Sequence, residues 1–315
     1  MVHPYALIDL HCDTLTCCGL PGAAARDTLD DPDRVLSLSA LPRGTHWAQF
    51  FAIFTPDELR GQAAADYFAA HRANFDRQME QFAHRVSPCR TAGDMEQAWA
   101  EGKTAAFLTV ENGSVLAGRM DRVDALAEAG VKAVTLTWNG ENEIGSGHTT
   151  DHGLSPFGKA VIPELERRRI LVDVSHLNDA GFRQVLDIAR RPFAATHSNA
   201  RAVCPHRRNL TDDMIREMAA RRCLIGLNYY VDFLSGAGGA LPEDLRRHVE
   251  HFFALGAGDC LALGSDFDGA DLPEWLSTPE QAAGLYQRFL DWGLTEEQAE
   301  GILWKNALRF LRENL

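Results

Sequence analysis

No apolar run in the chain reaches the roughly 18 residues that a membrane-crossing helix needs. The N-terminal MVHPYALIDLHCD has no basic segment leading into an apolar one, so a secretion signal is not expected, and the charged C-terminal NALRFLRENL is no lipid-anchor signal. Blocks of Lys or Arg are missing as well. With 31 basic against 44 acidic side chains the net charge is -13, the wrong sign for neutralising a phosphate backbone, and this argues against nucleic acid as a partner. The seven cysteines are odd in number and form no CxxC pair, which excludes a disulfide framework and points to reduced thiols in a cytoplasmic protein. A linker, repeat or low-complexity tract is absent too, so residues 1–315 read as a single folded unit.

What the chain does have is a rhythm. Short apolar, β-rich runs recur near residues 6–11, 47–54, 105–111, 131–138, 170–176, 193–197, 223–228 and 261–266, with amphipathic stretches between them. Eight strand-and-helix units predict an α/β fold of the (β/α)8 barrel type, with its active site at the carboxyl ends of the strands. An open doubly wound sheet would show the same alternation, but the phosphate-cradling Gly-rich turn after a first strand is not there. The clearest helix follows the second run, with Phe68, Phe75, Met79 and Phe82 at helical spacing. Thr55, Pro56 and Glu58 read as its N-cap, first-turn proline and capping-box glutamate.

The ends of the apolar runs carry the chemistry. His11 and Asp13 close the first, Glu111 the third, His176 the fifth, His197 the sixth and Asp266 the eighth. Period-two spacing puts His11 and Asp13 on one side of a strand, and Asp9 shares that side as a support for a ligand, while Cys12 faces away. Imidazole and carboxylate groups without cysteine favour Zn²⁺ or a similar divalent ion. Five ligands exceed what one tetrahedral ion needs. A carboxylate shared by two ions about 3.5–4 Å apart would use them all.

The segments IDLHCDTL, VENG, GLSPFGKAVIPELERRRILVDVSHLND, THSNARAVCPHRRNLTDDMI, GLNYYVDFL and LGSDFDG together resemble the membrane dipeptidase family, peptidase family M19, over roughly residues 6 to 312. The resemblance implies a dipeptidase with two Zn²⁺ ions: His11 and Asp13 on the first, Glu111 bridging, His176 and His197 on the second. It implies Asp266 as the acid/base residue; Asp268, which alternation places on the same face, is the rival for that role or orients a neighbour. Arg208 would hold the carboxylate of a dipeptide substrate, although Arg207 beside it has the same chemistry, and Tyr230 matches a substrate-side tyrosine. Homodimers are common in the family. One position departs: where the family has a histidine in LTHN that polarises the substrate carbonyl, this chain has Trp138 in TLTWN, whose indole N–H is only a donor. His148 and His152 in the following loop are candidates for its replacement. The departure also keeps open a binuclear amidohydrolase acting on another small carboxylated amide or a lactone, or a barrel that binds without turnover.

Overall fold

The structure is a computed structural model, and it describes residues 5–17, 27–236 and 239–315. Nine parallel strands are present among them: β1 Ala6–Cys12, β2 His46–Phe54, β3 Val86–Cys89, β4 Thr104–Glu111, β5 Val131–Thr135, β6 Leu171–Asp173, β7 Ala194–Ala195, β8 Leu224–Leu227 and β9 Leu261–Leu263. Eight close a ring in the order β1-β2-β4-β5-β6-β7-β8-β9, sealed by the seven-residue ladder from Ala48↔Ala105 to Phe54↔Glu111. This is the expected (β/α)8 barrel with one addition. β3, unseen in the sequence pattern, pairs with Thr104–Phe107 on the edge of β4 whose upper half, from Leu108 on, pairs with β5.

Side-chain alternation sorts the core into two layers. Ile8, Phe50, Phe107, Ala133, Leu171, Ala194, Leu224 and Ala262, one from each ring strand, pack together as the barrel interior, joined at its amino end by Leu308 and Leu311 of the helix Asn306–Asn314. Leu7, Trp47, Phe51, Val110 and Val134 face outward onto helices, among them Phe75 and Met79 of Gly61–Gln81. Among the described residues no helix is long and apolar enough to cross a membrane.

Two expectations fail here for identifiable reasons. Cys12 pairs with Phe51 rather than with Ala52, so β1 carries one extra residue after Asp9. That bulge puts Asp9 on the opposite face from His11 and Asp13: its carboxylate accepts from Gln49 Nε2 (3.0 Å), Ser265 N (2.8 Å) and Ser265 Oγ (2.5 Å). Asp9 therefore ties β1 to β2 and to the end of β9 instead of touching a ligand imidazole. The helix expected from Thr55 starts at Gly61, with Arg60 at the N-cap. Thr55 N–H is bonded to Glu111 O, and Asp57 accepts from Gly140 N–H (2.7 Å) and Asn112 Nδ2 (3.2 Å), so tertiary partners hold these residues out of the helix.

Candidate metal centre

The first group of donors comes from the end of β1. His11 Nε2 lies 3.4 Å from Asp13 Oδ2, 3.5 Å from Glu111 Oε2 and 3.7 Å from Asp266 Oδ1, and it is buried without a hydrogen-bond partner. Across the barrel, His176 Nε2 is 2.9 Å from both Glu111 Oε1 and His197 Nε2, and His197 Nε2 is 3.7 Å from that same Glu111 oxygen. The two oxygens of Glu111 thus face two different sets of ligand atoms. Donor atoms of His11, Glu111 and His197 lie within 4.8 Å of one another, as do those of His11, Asp13 and Asp266.

Electrostatics make the same demand. Burial, reinforced by Asp13, pushes Glu111 up to about 8. Burial alone would lower His11, yet Glu111 and Asp13 draw its pKa well above the usual imidazole value. Two buried carboxylates, Asp13 and Glu111, and the partly buried Asp266 around one unpartnered imidazole nitrogen call for positive charge, and a divalent cation satisfies all of them. The donor set, two carboxylates plus three imidazoles with Glu111 in the middle, fits such ions.

Supporting residues fix which nitrogen of each imidazole points inward. His197 Nδ1 donates to Thr196 Oγ1 (2.9 Å), which donates to Asp173 Oδ2 (2.6 Å). Asp173 also accepts from Thr135 Oγ1, Ser175 N and Thr196 N. His176 Nδ1 donates to Asn139 Oδ1 (2.9 Å). Both rings keep a lone pair on Nε2, and burial holds both pKa values well below 6.5, so both are neutral, the form in which an imidazole can bind a metal. Sequence reasoning missed Asn139, Asp173 and Thr196; Asp173, a carboxylate ending the apolar run ILVD, was the signal available for one of them.

His176, Asp266 and Asp268 all adopt left-handed backbone, at φ 68°, 66° and 63°. This breaks alternation and separates the two aspartates. Asp266 Oδ2 accepts from Asn228 Nδ2 (3.0 Å), leaving Oδ1 toward the centre. Asp268 turns away to accept from Thr14 Oγ1 (2.6 Å) and from the N–H groups of Val35 (2.8 Å) and Leu36 (3.2 Å), anchoring the segment that follows β1.

Above the donors opens a cavity of about 750 Å³, lined by Phe54, Trp138, His148, His206, Tyr230 and Phe233 as well as by site carboxylates. Of the two arginines left open by the sequence, Arg207 is exposed and paired with Asp151, while Arg208 is buried. Arg208 Nη2 donates to His197 O (3.3 Å), its guanidinium lies 5.2 Å from the Phe233 ring centre, and Nε has no partner. Burial lowers it only to about 10, so it stays cationic at neutral pH. Tyr230 reaches the cavity with its O–H donated to Asp232 (2.9 Å). His148 lines the cavity, half-buried, with Nδ1 unpartnered and burial plus Arg208 lowering it to about 4. His152 does not line it; it is exposed and paired with Glu141.

The loop after His197 rests on a second buried histidine. His248 Nδ1 accepts from Ala200 N–H (3.1 Å) and Nε2 donates to Leu234 O (3.0 Å), a fully paired neutral ring. Burial, against the pull of the Leu234 bond, lowers its pKa from 6.5 to about 4. The unfolded chain therefore binds the proton more readily. The stabilisation is complete above pH 6.5 and declines as pH falls from there toward 4, by about 3 kcal/mol in all. Denaturant titrations should show His248→Gln, which keeps a donor and an acceptor, losing that much less stability than the parent over this window. Equal losses would mean that His248 does not titrate there.

The described cysteines are free, five of them buried and Cys17 at the cavity edge; Cys18 lies outside the described residues. A family model described as membrane dipeptidase (peptidase family M19) matches residues 1–314. An uncharacterized protein in the pqqA 5' region of Klebsiella pneumoniae is 31% identical over 243 residues, covering 73% of this chain and 89% of its own length. Among solved structures, a dipeptidase described as a metallo peptidase of family M19 is 26% identical, with a TM-score of 0.91 over 98% of both chains. A metallo peptidase from Rhodobacter sphaeroides, liganded with a phosphinate mimic of the dipeptide L-Ala-D-Ala, is 24% identical, with a TM-score of 0.89 over 98% of this chain and 99% of its own.

Proposed function

The chain belongs to the membrane dipeptidase family, peptidase family M19, and from that premise we propose that it hydrolyses dipeptides with two Zn²⁺ ions held by His11, Asp13, Glu111, His176 and His197. The observation that carries the two-ion reading is Glu111, whose oxygens lie toward His11 on one side and His176 on the other. When bound, a pair of divalent ions supplies Lewis-acid polarisation of the scissile carbonyl and a water acidic enough to attack near neutral pH.

The chain's own residues do the rest. Asp266, with Oδ2 held by Asn228 and Oδ1 toward the centre, takes the proton from the attacking water and passes it to the leaving amine. Arg208 holds the C-terminal carboxylate, of an L- or a D-residue, and Tyr230 borders the same side of the cavity. His148, neutral and with a ring nitrogen unpartnered, donates an N–H on the carbonyl side in place of the family histidine that Trp138 has replaced. Losing one donor of that kind typically costs about 10²–10³ in rate, so His148→Ala should lower kcat by that factor. An unchanged kcat would remove His148 from the reaction.

Zinc analysis of the metallated protein, combined with hydrolysis of L,L and L,D dipeptides, tests the whole reading. Two equivalents are expected, with activity lost to a chelator and regained with zinc. Fewer than one equivalent, or cleavage indifferent to chelation, defeats it. Running N-acyl amino acids and lactones in parallel distinguishes the other amidohydrolase chemistry that Trp138 suggests.

A further inference from the structure

We infer that Trp138 and Phe54 form the subsite for the side chain of the substrate's N-terminal residue, and that this subsite selects large apolar or aromatic side chains. The inference rests on the dipeptidase reading and gives it a substrate class.

The two rings line the cavity side by side, their centroids 4.8 Å apart and inclined at 66°, an edge-to-face pair with apolar surface left facing the opening. Both are held from behind. Phe54, the last residue of β2, has its N–H bonded to Thr16 Oγ1 (3.0 Å). Behind Trp138 the loop folds back so closely that a Cβ on Gly147 would stand 2.0 Å from Trp138 O. A wall fixed in this way needs little ordering when a ligand arrives.

The order of strands decides which end of the substrate meets it. Arg208 sits on the connection from β7 to β8, whereas Phe54 ends β2, four strands away and across the ring, and Trp138, which follows β5 two strands away, sets its ring against Phe54. Between them stand the donor atoms, with the Trp138 and His176 ring centroids 6.3 Å apart. A dipeptide whose carboxylate is at Arg208 and whose scissile carbonyl is over the donors therefore extends its N-terminal residue toward Phe54 and Trp138. Elsewhere the lining is largely polar, with Asp13, Glu111, Asp232, Asp266 and Asp271 among it, and the other apolar ring, Phe233, lies against Arg208. Among the described residues, this wall is the largest apolar contact away from Arg208 that an N-terminal side chain can reach.

The test compares kcat/KM for Phe-Ala, Ala-Ala and Ala-Phe in the zinc-loaded parent and in Trp138→Ala, Trp138→Phe and Phe54→Ala. The parent should prefer Phe-Ala over Ala-Ala by about tenfold or more. Trp138→Ala should erase most of that preference through KM and leave the Ala-Phe to Ala-Ala ratio as it was, and Trp138→Phe should regain much of it. Inhibition constants of the phosphinate isosteres of Phe-Ala and Ala-Ala should converge in Trp138→Ala, a readout independent of turnover. An unaltered Phe-Ala preference in both alanine variants, or a loss falling on Ala-Phe, overturns the subsite while the dipeptidase reading stands. If the zinc-loaded parent cleaves none of the three, the dipeptidase reading falls and the subsite with it.

Discussion

Asp266→Asn is expected to retain two equivalents of zinc and to lose hydrolysis by a factor of about 10²–10⁴, the range that a positioned acid/base group contributes. The substitution is nearly isosteric. Its amide oxygen can still accept from Asn228 Nδ2, now bonded to Asp266 Oδ2, and the N–H₂ then takes the place of Oδ1, 3.7 Å from His11 Nε2. An amide there cannot accept a proton from water and hand it on. Metal content and kcat must be read together, because Asp266 also lies within ligand distance of His11 and Asp13. Loss of one zinc equivalent along with activity would make Asp266 a ligand, and near-parental activity would remove it as the proton carrier.

Gly269→Ala should be as damaging without altering any group that does chemistry. A Cβ at this position would stand 1.9 Å from Asp13 Oδ2 and 2.9 Å from Asp266 Oδ1, well inside contact distance. Asp13 is the group that must give way, and rotating its carboxylate aside moves Oδ2 from its place 3.4 Å from His11 Nε2. The first set of donors then loses its second carboxylate, leaving His11 and Glu111. We expect zinc stoichiometry to fall from two toward one and kcat/KM to drop by at least about 10², the scale set by losing one preorganised charge-stabilising group. Thermal stability of the metal-free protein checks that the barrel still folds. Full zinc content with full activity would show that Asp13 is not held where the structure places it.

The strand ends were legible because metal chemistry repeats one demand at several places in the chain: each of His11, Glu111, His176, His197 and Asp266 closes an apolar run, and the barrel brings those ends together. The face of Asp9 was not legible. A β-bulge is a property of the pairing between β1 and β2, and a single strand gives no sign that its alternation will slip by one residue. β3 was hidden for a different reason. It has four residues, one of them Pro88, and it pairs only along the lower half of β4, so neither length nor composition marks it as a strand. Thr55 and Glu58 carried a genuine capping pattern, but Glu111 and Asn112, at the end of the neighbouring strand β4, compete for the same backbone. Asn139 and Thr196 could not have been named, since their role depends on where two loops leave the sheet. Likewise the choice of His148 over His152 rests on which of two nearby side chains the loop turns inward.

The left-handed backbone at His176, Asp266 and Asp268 bears on how the site can be dissected. Asparagine and aspartate tolerate that conformation far better than alanine does. Alanine at any of these positions removes a functional group and strains the main chain by about 1–2 kcal/mol at the same time, so its effect mixes chemistry with misplacement of the neighbouring residues. Asparagine at the same positions leaves the turn relaxed and reports on the lost imidazole or carboxylate alone. For this centre the informative scan is an asparagine scan.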